Sequence, residues 1–105
     1  MNRIAIVLSG CLLPDAELLA RLRRSNNELV VILAWRNFDY CLTHNKKPGE
    51  VLVMIKKYFD NHWGHSFCIF PIDATSLSAP QLLIKISHLS PSFNEIISDS
   101  SDIVS

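Results

Sequence analysis

Two short apolar runs, RIAIVL at 3–8 and ELVVILAW at 28–35, constrain this chain more than anything else in it. Each is rich in aliphatic residues, bounded by polar ones and too short for a free-standing helix, the pattern of a strand covered on both faces. Between them lies a segment of a different period. PDAELLARLRR at 14–24 sets Leu18, Leu19 and Leu22 on one face, with Asp15 and Glu17 early and Arg21, Arg23 and Arg24 late. Spacing and charge placement both predict a helix. Strand, helix and doubly covered strand in that order point to a parallel sheet, because parallel neighbours need a crossover.

The rest of the chain continues the alternation. Residues 36–47 show no periodicity and predict a surface loop, of a length that more often serves a function than not. Pro48-Gly49-Glu50 then opens a helix through EVLVMIKKYF, in which Val51, Met54, Ile55 and Phe59 share a face. SFCIFPI predicts a third strand broken at Pro71, SAPQLLIKISHL a third helix, FNEIISDS a fourth strand, and SSDIVS the first turn of a fourth helix. The expected fold is α/β, a Rossmann-like three-layer α/β/α arrangement in which a parallel sheet of about four strands alternates with helices. Ligands of such sheets bind at the carboxyl ends of the strands, which selects 9–13, 35–45, 71–78 and 98–101.

Composition limits the partners. A chain of 105 residues that is 49% hydrophobic can fill one core, so a single domain over 1–105 is expected. Ten basic residues balance ten acidic ones, which leaves no net field to gather nucleic acid or an acidic membrane surface. No apolar stretch approaches the roughly 20 residues of a membrane helix. Cys11, Cys41 and Cys68 are odd in number and widely spaced, and the first residues do not read as a signal peptide; a cytoplasmic setting with reduced thiols is expected.

His62-Trp63-Gly64-His65 fits H-x-G-H, the phosphate-handling pattern of nucleotidylyltransferases. That chemistry needs its histidines at the helix following the first strand, where free helix amides attract phosphate. Here the four residues fall between the second helix and third strand, at the opposite edge of the expected sheet, and read as a connection anchored by Trp63. His62, His65 and Cys68 are spaced like metal ligands, but no fourth ligand accompanies them and Cys68 falls within a strand.

Read in register, the chain resembles the archaeal-type nicotinamide mononucleotide adenylyltransferases, including forms joined to a Nudix hydrolase. Residues 10–19, GCLLPDAELL, align with G-R-F-Q-P-x-H-x-G-H and keep the glycine and the proline. NELVVI resembles the D-E-V-I-I-G-like strand, HNKKPGEV the N-P-F-T-x-G-E-R segment, IFPIDA the I-P-I-x-D strand end and FNEIISDS the F-D-x-x-x-T-x-N segment. The functional letters are missing. Ala16 and Leu19 stand at the histidine positions, Leu18 at the glycine that lets phosphate approach, Cys11 at the arginine, Val51 at a later arginine and Gln81 near the ring-stacking aromatic. Trp35-Arg36 replaces the small residues beside adenine, and the chain stops before the family's fifth strand and its second signature.

The resemblance implies a degenerate, catalytically inactive adenylyltransferase-like domain with a scaffold, interaction or regulatory role. The alternatives are a nucleotide-binding module using Arg36, His44, Lys46 and Lys47, or an active adenylyltransferase completed by another segment or subunit. Candidate nucleotide-contacting positions are Ser9, Gly10, Cys11, Leu12, Trp35, Arg36, His44, Asp73, Ser98 and Ser100. Asp73 serves equally as a turn former, and 98–101 equally as a helix cap. No cofactor is fixed by the residues themselves; ATP with magnesium is what the resemblance brings. The expected partners are a nucleotide, a Nudix domain or another protein, or a second copy paired at an open sheet edge.

Overall fold

The computed structural model describes residues 2–8, 13–35, 45, 47–89 and 92–98. The elements run β1 (Asn2–Leu8), α1 (Ala16–Arg24), β2 (Asn27–Trp35), α2 (Pro48–His62), β3 (Cys68–Asp73), α3 (Ala79–Ser87) and β4 (Glu95–Ser98). All three strand pairings are parallel, in the order β3-β2-β1-β4. The expected loop at 36–47, apart from Asn45 and Lys47, and the expected last helical turn lie outside the described residues.

The central pair β1 and β2 buries both faces, as its unbroken apolar runs require. Ile6, Leu8, Leu29, Val31 and Leu33 point to one side and pack with Leu19 of α1, with Val51, Ile55 and Phe59 of α2, and with Trp63. Ala5, Val7, Val30, Ile32 and Ala34 point to the other and pack with Leu82 and Ile86 of α3. Helices therefore cover both faces of a four-strand parallel sheet, and the fold is Rossmann-like α/β.

Local chemistry sets the helix boundaries. Asp15 caps α1, its Oδ1 accepting the Leu18 N–H at 2.7 Å. Ser78 and Gln81 form a reciprocal capping box on α3, at 3.3 and 2.9 Å. Gln81, which stands near the position of the family's ring-stacking aromatic, is engaged in capping. The third strand is not broken at Pro71: it continues to Asp73, because β3 is an edge strand and an edge tolerates a residue with no N–H. At the other edge β4 is pinned to β1, Arg3 N–H donating to Asn94 Oδ1 at 2.7 Å and Asn94 N–H to the Arg3 carbonyl at 2.8 Å.

Candidate functional site

The strand order reverses beside β1: α1 carries the chain from β1 to β2 on one face, and α3 carries it from β3 across to β4 on the other. The carboxyl ends of β1 and β4 therefore flank the switch point where ligands of this fold bind. A cavity of about 220 Å³ lies there, walled by Ile6 and Leu8 of β1, by Ile97 and Ser98 of β4, and by Leu13, Pro14, Asp15 and Leu18 at the start of α1.

The wall is mostly hydrocarbon. Among the described residues that line it, the polar side chains are Asp15 and Ser98, with no lysine, arginine or histidine. Asp15 already satisfies an amide of the first helical turn and brings a carboxylate to the N-terminus of α1. The Tyr58 hydroxyl donates to the Pro14 carbonyl and ties α2 to this segment. Burial, and secondarily the negative charge of Asp15, push the Tyr58 pKa up, so the phenol keeps the proton that it donates.

Of the sequence candidates, Ser98 is half-buried in the crevice wall. Asp73 ends β3 at the opposite edge of the sheet, three strand spacings from β4 and so about 14 Å away. Its exposed carboxylate accepts the Thr75 N–H at 3.1 Å. That backbone bond first, then the Thr75 side chain, hold it below the usual carboxylate range, helped by the charge of Lys85. Trp35 ends β2 in register with Asp73. Ser9, Gly10, Cys11, Leu12, Arg36, His44 and Ser100 lie outside the described residues.

The positions aligned with the family's helix motif divide. Leu19 is fully buried in the core between α1 and the sheet, whereas Leu18 lines the crevice with an isobutyl group. Asp15 was not among the nucleotide-contacting candidates. The Pro14-Asp15 pair at a helix start was the available signal, since aspartate there caps the first turn.

The segment from His62 to His65 sits at the amino-terminal edge of the sheet and serves packing. His62 ends α2 with its ring 4.4 Å from that of Tyr58. Trp63 is 1% exposed, and its carbonyl accepts Arg23 Nη1 at 3.0 Å. Gly64 follows with φ +76°, and a Cβ there would stand 2.9 Å from the same guanidinium nitrogen. A glycine just past a helix end suits this left-handed conformation. Among the described residues no group of three or more His, Cys, Asp or Glu is gathered to hold a metal ion, and no helix is long and apolar enough to cross a membrane.

Comparison with known proteins adds no relative: no family model, no curated protein and no solved structure matches the chain.

Proposed function

We propose that the chain is an adenylyltransferase-like α/β domain that has given up adenylyl transfer and acts as a scaffold for interaction or regulation. The observation that carries this reading is the start of α1, where the Asp15 carboxylate takes the Leu18 amide and hydrocarbon from Leu13 and Leu18 walls the crevice. Adenylyl transfer works by positioning two substrates and neutralising charge on the moving phosphate. Among the described residues the crevice offers a carboxylate, a serine hydroxyl and aliphatic walls, which oppose both requirements, because a triphosphate would meet like charge and lose hydration to a mostly hydrocarbon wall. Loss of one such donor costs about 10² to 10³ in rate, so loss of several together removes the activity.

The test is a titration of ¹⁵N-labelled protein with ATP, nicotinamide mononucleotide and magnesium, with an assay for NAD run beside it. No turnover above background, and no saturable shifts at Ile6, Leu8, Leu18 and Ser98, are expected. Turnover would sink the reading. Saturable shifts without turnover would favour a nucleotide-binding module instead.

A further inference from the structure

A second concave surface lies away from the switch point, between α2 and the outer edge strand β3. It encloses about 380 Å³. Phe67, Ile69 and Pro71 form its floor, and Leu52, Lys56 and Asp60 its helical wall. The pattern of α2 explains why this wall is free. Val51, Ile55 and Phe59 make one stripe at four-residue spacing and are buried against the sheet. Leu52, Lys56 and Asp60 make the adjacent stripe, one residue later on the helix, which faces outward along the groove. Leu52 is 38% exposed in the helical wall of the groove. With Phe67, Ile69 and Pro71 it makes an apolar surface beside an edge strand that no described strand covers, the kind of surface that marks interaction.

The charges on the wall select the occupant. Lys56 and Asp60 carry opposite signs one helical turn apart. A partner segment of a single sign would gain at one of them and lose at the other. A copy of the same chain, related by a two-fold axis passing between them, runs its α2 antiparallel and sets Lys56 of each protomer against Asp60 of the other, two pairs from one arrangement. The whole chain has balanced charge, so two copies approach without net repulsion. Pro71 gives the edge one backbone donor fewer, which favours contact through side chains in the groove over extension of the sheet.

We infer that the groove between α2 and β3 is the interface of a two-fold homodimer, with apolar contact from Leu52, Ile69 and Pro71 flanked by reciprocal Lys56 to Asp60 pairs. Sedimentation equilibrium of the intact chain and of three variants tests it. All three alter exposed residues, and circular dichroism checks that each remains folded. The unaltered chain should dimerise. Lys56→Glu and Asp60→Lys should each weaken the dimer by roughly tenfold or more, since each sets like charges together twice. Combining the two restores the pairing with signs exchanged and should recover most of the lost affinity. A chain that stays monomeric to about 1 mM, a concentration at which even weak self-association registers, overturns the inference. So does a dimer indifferent to the single reversals, or a double variant as weak as the singles.

Discussion

The two ends of the sheet differ in what their polar groups do. At the amino-terminal edge, the Arg23 guanidinium reaches across from α1 to the carbonyl of Trp63, Gly64 turns in the left-handed region beside it, and the indole is buried beneath. At the carboxyl edge, where a Rossmann-like fold presents its binding crevice, one carboxylate caps a helix over a wall of leucine, isoleucine and proline. The letters that look catalytic therefore stand at the end where they pack, and among the described residues the crevice at the other end is walled mostly by hydrocarbon. A motif of two histidines and a glycine has meaning only with free helix amides beside it, and here His62 ends α2 and Trp63 to His65 follow it.

Substitution at Trp63 should have the largest effect on this contrast. Trp63→Ala removes a fully buried indole from the core formed by α1, α2 and the sheet, and a loss of about 3–5 kcal/mol is expected in a urea titration. A loss below about 1 kcal/mol would mean that the amino-terminal edge is not a packing anchor.

Gly64→Ala comes next. It places a Cβ at a left-handed φ, at a cost of about 1–2 kcal/mol, and crowds the Arg23 nitrogen that holds the Trp63 carbonyl. Equal stability of the variant and the parent would show that this turn relaxes to ordinary backbone angles.

The smallest effect belongs to the carboxyl edge. Asp15→Ala should cost about 1 kcal/mol through loss of the α1 cap, with Asp15→Asn milder because asparagine also caps. Asparagine removes the charge while keeping the cap, so the same variant sharpens the functional comparison. If Asp15→Asn acquired saturable ATP binding, the carboxylate would stand as the main bar to phosphate; continued indifference would assign that role to the aliphatic wall.

Much of the fold was legible because its causes are local. The apolar runs of β1 and β2, the face of Val51, Ile55 and Phe59, and the cap residues Asp15 and Ser78 each act within a few positions along the chain. In the sequence Pro71 looks like a break but is not one, since a proline's effect depends on whether a neighbouring strand needs its N–H, and β3 lies at the edge. The site was less legible. Ser98 ends β4 and lines the crevice, and Asp15 and Leu18, which the sequence presents as helix residues, line it too. Asp73, grouped with Ser98 by its equivalent place at a strand end, lies at the far edge of the sheet.

By itself, then, the sequence determined the alternation of strands and helices, the parallel sense of the sheet and which two strands are covered on both faces, through periodicity and through crossovers that parallel pairing needs. Tertiary structure decided what depends on residues far apart in the chain. It set the order β3-β2-β1-β4, it brought Arg23 to a carbonyl 40 positions away, it joined Tyr58 to Pro14, and it opened a groove between α2 and an edge strand. The reason is physical: propensity and capping act over one or two turns, whereas strand order and pocket walls follow from how helices pack on both faces of a sheet.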